Sequence, residues 1–144
     1  MARIYLASSW RNKYQPGMVK LLREHGHIVY DFRNPACGPA GFSWAELDEN
    51  WQNWTADEYR SMLFNHPRAA QGYMSDMRAM EWADVCVLLL PCGRSAHLEA
   101  GWFAGRGKTL LILTENGQEP ELMAMMANHI PISPTELLET LEDY

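Results

Sequence analysis

Short, almost wholly apolar runs alternate along this chain with longer stretches in which apolar positions recur every three or four residues, the signatures of buried strands and of helices with one inner face. Residues 4–8 open the series as a strand. A helix is predicted over residues 16–25, with Met18, Leu21 and Leu22 on its inner face and Gly26 as its stop. Residues 27–32 read as a second strand ended by Asn34-Pro35, and residues 35–41 as a loop rich in Pro and Gly. Beyond it Trp44, Leu47, Trp51 and Trp54 fall at i, i+3, i+7 and i+10, which predicts a helical stripe, and a further helix spans residues 69–83. The run VCVLLL, residues 85–90, is too uniformly apolar for a half-exposed strand and reads as a central parallel strand buried on both faces. A helix beginning near Ser95, a fourth strand over 109–114, a helix over 121–129, a short strand near 130–132 and a closing helix over 134–144 complete the series. Ser133 followed by Pro134 is the start signal of that last helix.

Strands alternating with helices imply βαβ units with right-handed crossovers and a sheet covered on both faces, an α/β fold in a single domain over residues 1–144. The stretch 34–84, between the second and third strands, is longer than a simple crossover requires and is the natural place for a lid or a substrate wall. At 144 residues, 47% hydrophobic and 21% charged, the chain has the length and composition of a globular protein with a substantial core. A net charge of -6 leaves no basic stripe for a nucleic-acid polymer, whereas one or two Arg residues suffice for a single phosphate. Three cysteines without framework spacing, no apolar run of the roughly 18–20 residues of a membrane span, and no signal peptide ahead of Ile4 point to reduced thiols in the cytoplasm.

Candidate chemistry centres on Glu99, the one acidic residue in the apolar, glycine-punctuated passage 86–108. A capping box from Ser95 would put its acid at Leu98, one position too early. Glu99 instead shares a helix face with Trp102 and Phe103, at the carboxyl edge of the sheet where ligands of open α/β folds collect. A carboxylate sheltered by aromatics is suited to act as nucleophile or general base. At the same edge, Ser8-Ser9-Trp10-Arg11 offers two hydroxyls, backbone N–H groups and a guanidinium, and Arg94 and Ser95 start the next helix, together a cradle for a phosphate. Asp76 sits inside the helix before the third strand, eight residues ahead of Asp84. Six tryptophans, Trp44 among them, serve either as core or as a wall for a flat aromatic ligand. GRGKT, residues 105–109, is no phosphate loop, because Trp102 stands where that pattern requires glycine and the segment leaves a helix for a strand. Cys92 and Arg94 are too close for a cysteine phosphatase, Cys92 with His97 is a minor nucleophile–base alternative, and no metal-ligand spacing is present.

Taken together, the Ile4-Tyr5-Leu6-Ala7-Ser8 start, Asp76 eight before Asp84, residues 88–91 and Glu99-x-Gly101 resemble the nucleoside 2-deoxyribosyltransferase family and its hydrolytic relatives, the nucleoside 5'-monophosphate N-glycosidases. The resemblance covers most of the chain. It implies a flavodoxin-like (Rossmann-like) three-layer sandwich around a central, mostly parallel sheet of about five strands. It further implies Glu99 as the nucleophile at the anomeric carbon, Tyr5 as its hydrogen-bonding orienter, and Asp76 as the group that holds or protonates the departing base. No metal or cofactor is implied. Active sites in this family are completed across a subunit contact, so a homodimer or larger homo-oligomer is expected, with a small nucleoside or nucleotide as partner and neither nucleic-acid polymer nor membrane.

The family's transferases place an acid in the loop before the nucleophile, and here that loop is Cys92-Gly93-Arg94-Ser95. The monophosphate hydrolases carry Gly-Ser-x-Arg after the first strand and a serine ahead of the nucleophile. Ser8-Ser9-Trp10-Arg11, with Ser8 in place of the glycine, and Ser95, at a different spacing, resemble both. The expectation is therefore hydrolysis of a (deoxy)nucleoside 5'-monophosphate, with Ser8, Ser9, Arg11, Arg94, Ser95 and Trp44 binding substrate. Base exchange between deoxynucleosides, cleavage of NAD by a TIR-like enzyme, and a non-catalytic nucleotide sensor are the alternatives.

Overall fold

Tyr5 pairs with Cys86 on one side and with Tyr30 on the other, a register that sets the order of the sheet in this computed structural model. The structure describes residues 1–36 and 41–144; the centre of the expected Pro- and Gly-rich loop, with Cys37, lies outside the described residues. They form two compact units, Met1–Asp31 with Met80–Tyr144, and Phe32–Ala79.

The first unit holds the sheet. Strands β1 (Arg3–Ala7), β2 (Ile28–Tyr30), β3 (Val85–Leu89) and β4 (Thr109–Leu113) are all parallel, in the order β2-β1-β3-β4. β1 alternates by the period of two that a strand imposes. Ile4 and Leu6 join Val85, Val87, Leu89, Leu111 and Leu113 in one core with Met18 and Leu22 of α1 (Gln15–Glu24) and Leu137 and Leu141 of α5 (Pro134–Leu141). Tyr5 turns to the opposite face, where α4 (Arg94–Gly105) packs on β1, β3 and β4. Helices thus cover the sheet on both sides, and all five residues of β3 are buried, as a central strand of such a sandwich must be. Gly26, at φ +84, supplies the left-handed turn after α1 that a side chain would resist. At the other edge, Arg3 grips the Asp84 carboxylate with Nε at 3.0 Å and Nη2 at 2.6 Å, joining the starts of β1 and β3. Lys108 donates to the carbonyls of Met80 and Glu81, 2.8 Å each, and so caps the last turn of the helix before β3.

The sheet has four strands among the described residues, not about five. Residues near 130–132 run beside β4, with Asn128 N–H donating to Leu110, Ile112 N–H to His129 and Thr114 N–H to Pro131, but only Leu111 and His129 form a bridge. Pro131 has no N–H to return, so the ladder stops. Asn128 also explains why 121–129 is not an α-helix. Its side chain accepts from Leu110 N–H at 2.9 Å, drawing the chain onto β4 after a 3-10 turn, Leu122–Met126.

In the second unit the tryptophan stripe is not a continuous helix either. Two 3-10 turns, Trp44–Glu46 and Trp51–Asn53, flank Asp48, whose carboxylate accepts from Asn50 N–H at 2.9 Å and from the Trp54 indole at 2.8 Å. A short acid that bonds its own neighbouring backbone turns the chain instead of extending a helix. Helix α2 (Ala56–Asn65), absent from the sequence reading, starts on a Thr55/Glu58 capping box. Helix α3 (Pro67–Trp82) follows, and its last residues belong to the first unit. No helix among the described residues is long and apolar enough to cross a membrane.

Candidate active site

Glu99 reaches the sheet because α4 buries Ala96, Ala100 and Phe103, and Glu99 lies on the turn between them. Phe103, four residues on and fully buried, shares its face and meets the Tyr5 ring at 5.8 Å. The Tyr5 hydroxyl donates a hydrogen bond to Glu99 Oε2. Tyr5 is 2% exposed and Glu99 half-buried, so the bond lies in a partly dehydrated setting where a charge-assisted hydrogen bond is strong. Two thiols register the same charge. Burial, and then the Glu99 carboxylate, hold Cys86 well above the usual thiol range and push Cys92 up to about 11. A thiol so placed stays protonated at neutral pH, and a thiol, unlike a thiolate, is a poor nucleophile. His97 Nδ1 lies 3.6 Å from Cys92 Sγ but 2.9 Å from the Gly93 carbonyl, so the imidazole is turned to the backbone. Cys92 with His97 therefore does not form an activated pair.

The loops at the carboxyl edge are tied together. Ser8 donates its hydroxyl to the Leu89 carbonyl at 3.1 Å. Asn12, 2% exposed, donates to the carbonyls of Leu89 (3.3 Å) and Pro91 (3.0 Å) and accepts from Tyr14 N–H (2.8 Å). The loop after β1, carrying Ser9 and Arg11, is thereby fixed to the loop after β3, which leads into Arg94 and Ser95. Ser9 Oγ accepts from Arg11 N–H at 3.2 Å, and Arg11, Arg94 and Ser95 are exposed. Gly93 caps α4 without a side-chain bond, so no side chain there occupies the first N–H groups of the helix. Ser8, its one proton given to Leu89, offers an incoming group only its lone pairs.

Asp76, half-buried in α3, and Trp44 belong to the second unit. Trp44 is the hub of an aromatic cluster there, edge-on to Phe42 (4.8 Å), Trp54 (5.8 Å) and Tyr59 (5.9 Å). Gly72 makes room for it, since a Cβ at that position would stand 3.2 Å from the Phe42 side chain. Arg68 binds Glu46 at 3.3 Å and covers Phe42. Packing of this kind joins Trp44 and Trp54 to their aromatic neighbours.

Three residues escaped the sequence reading: Asn12, Tyr30, which stacks on Tyr5, and Gln15, fully buried, whose amide donates to Asp31 at 2.9 Å. An Asn five residues beyond a buried strand carries a weak signal at best, because polar turns favour Asn anyway. Among the described residues no group of three His, Cys, Asp or Glu is arranged to hold a metal ion.

No protein-family model and no curated protein matches the chain. Solved structures do. A 2-deoxyribosyltransferase from the psychrotolerant bacterium Bacillus psychrosaccharolyticus is similar at a TM-score of 0.66 and 19% identity, over 99% of this chain and 92% of that one. A conserved protein of Enterococcus faecalis gives 0.62 at 14% identity, covering 99% and 98%. The CMP N-glycosidase BcmB of Clostridium botulinum gives 0.52 at 17%, covering 97% and 98%. At these identities the likeness establishes the fold, and this chain has the flavodoxin-like α/β fold of the 2-deoxyribosyltransferase and CMP N-glycosidase structures.

Proposed function

We propose that this chain is an enzyme of the N-glycosidic bond that hydrolyses a (deoxy)nucleoside 5'-monophosphate to free base and sugar phosphate. The observation that carries the reading is the half-buried Glu99 carboxylate held by the buried Tyr5 hydroxyl at the sheet face under α4. In this mechanism a Glu99 oxygen bonds to the anomeric carbon as the carbon–nitrogen bond breaks, the electron pair leaving on the base. Asp76 holds the base and supplies its proton. Water then attacks the same carbon and gives a proton to Asp76, the ester bond to Glu99 breaks, and the free carboxylate is restored, the two-step course of retaining glycosidases. Tyr5 keeps Glu99 aimed between turnovers. Ser9, Arg11, Arg94 and Ser95, with Ser8 behind them, take the 5'-phosphate, a dianion suited to a guanidinium and open helix N–H groups. Trp44 is the remaining substrate-binding assignment.

Hydrolysis is preferred to base exchange because the loop ahead of α4 has no acid to hold an acceptor. The test is release of free base from a panel of nucleosides, monophosphates and NAD, with and without an added acceptor base. Monophosphate turnover independent of acceptor is the expected result, lost at least about a thousandfold in Glu99→Ala, the order seen when a nucleophile is removed. Base appearing on the acceptor would make the chain a transferase, release from NAD alone would make it a TIR-like enzyme, and binding without turnover a sensor. We further assign a homodimer or larger assembly and a cytoplasmic setting. The exposed Leu98, Leu122, Met123, Met125 and Met126 give a surface for self-association, and the unpaired Cys86 and Cys92 suit a reducing compartment.

A further inference from the structure

Tyr5 does not stand alone against Glu99. Its ring contacts two others: Tyr30, the last residue of β2, stacks on it at 5.3 Å with an interplanar angle of 13°, and Phe103 meets it at 5.8 Å and 39°. The pairing is built into the sheet, since Tyr5 and Tyr30 are register partners in neighbouring parallel strands. Phe103 is fully buried, and it comes from the same helix as Glu99.

We propose that Tyr30 is a positioning residue for Glu99, acting through Tyr5. A phenol hydroxyl lies on the long axis of its ring, so rotation about that axis leaves the oxygen in place while a tilt of the ring carries it away. A planar neighbour stacked nearly parallel opposes that tilt. Phe103 comes from the helix and meets the ring tilted, whereas Tyr30 comes from the neighbouring strand and lies nearly parallel to it, the geometry that resists a tilt. Hydrogen bonds weaken steeply as they bend, and a misplacement of about 1 Å in a catalytic group costs on the order of a hundredfold in rate. The role requires the flat ring of Tyr30, not its hydroxyl, and it rests on the reading of Glu99 as the attacking group.

The test combines kinetics with a signal that does not depend on turnover. A hydrogen-bonded hydroxyl proton on a side chain as buried as Tyr5 exchanges slowly enough to give a downfield proton resonance, assigned by its loss in Tyr5→Phe. In Tyr30→Leu that resonance disappears and kcat for base release falls tenfold or more with KM little changed. In Tyr30→Phe the resonance persists and most of the rate returns. The double variant Tyr5→Phe/Tyr30→Leu is no slower than Tyr5→Phe alone, because both changes remove one interaction. Should Tyr30→Leu not fold by thermal melting, Tyr30→Val, better suited to a strand end, replaces it. An unchanged resonance in the Leu or Val variant, or additive losses in the double variant, overturns the proposal. If the wild-type protein releases no base from any substrate, the glycosidase reading fails, and the resonance alone still decides whether Tyr30 holds the Tyr5 hydroxyl.

Discussion

The hydroxyl of Tyr5 donates to Oε2 of Glu99, linking the middle of β1 to the middle of α4 across the face of the sheet. Hydrogen bonds to charged groups contribute roughly 1.5–3 kcal/mol. Tyr5→Phe keeps the ring contacts with Tyr30 and Phe103 and removes only the donor. The expected outcome is a kcat roughly ten- to a hundredfold lower, at about 1.4 kcal/mol per tenfold, with an unchanged fold. Circular dichroism alongside initial rates checks both halves. A rate within twofold of wild type would remove Tyr5 from the mechanism.

Arg11 is exposed on the loop after β1, and its backbone N–H is engaged by Ser9 Oγ, which fixes the loop without using the guanidinium. Arg11→Ala is therefore expected to leave folding untouched. For a nucleoside monophosphate it should raise KM about tenfold or more, the order of one charge-assisted phosphate contact. For the matching nucleoside it should change KM little. Equal losses on both substrates would mean that the loop does not read the phosphate.

How far these features could be read from the residues alone depends on the range of the interaction that makes them. Residues 85–90 announce a buried strand because burial on both faces admits only apolar side chains, and Glu99 stands out as the exception beside them. The Tyr30 stack is different. It arises from register between strands separated by a whole crossover, and a Tyr at a strand end carries no mark of its cross-strand neighbour. The tryptophan stripe fails for a local reason. Its helical spacing is real, but Asp48 intercepts the backbone at Asn50 and the indole of Trp54, an outcome the spacing does not decide. The short strand near 130–132 is undone by one missing N–H at Pro131, a detail visible in the sequence once the edge position against β4 is known.

Asn12, at a nearly inaccessible position, joins the loops that carry Arg11 and Arg94 through two hydrogen bonds and accepts a third from Tyr14 N–H in its own segment. Asn12→Leu would leave the Leu89 carbonyl with Ser8 as donor but deprive Pro91 of its partner, and would free Tyr14 N–H. A buried group left unsatisfied costs about 1–3 kcal/mol, and these part-buried groups carry some fraction of that. A urea midpoint lowered accordingly, with slope unchanged, is the expected result. Asn12→Asp should be no substitute, because two of the three bonds need a donor. A midpoint equal to wild type would show that water replaces the side chain.

His27 gives the first unit an acid-sensitive tie. Its Nδ1 accepts the backbone N–H of Ala2 at 3.1 Å, which only an unprotonated nitrogen can do. Burial first, then the amino-terminal charge and His25, lower its pKa below the ordinary 6.5. Since the folded pKa is the depressed one, the neutral ring's contribution is fully present above 6.5 and is lost as pH falls through the lower folded value. Folding free energy should therefore decline on acidification below pH 6.5 in the wild-type protein. In His27→Asn, whose amide oxygen can accept from Ala2 without titrating, that part of the decline should vanish. Denaturant unfolding of both proteins at a series of pH values between 7 and 5 checks the difference. Parallel curves would show that the tie carries no proton linkage, and that acid acts first elsewhere, with the Asp48 and Glu46 carboxylates of the second unit next in line. Backbone N–H groups of Asn50 and Ser43 hold those two below their ordinary values, so their contribution fails only in more acidic solution.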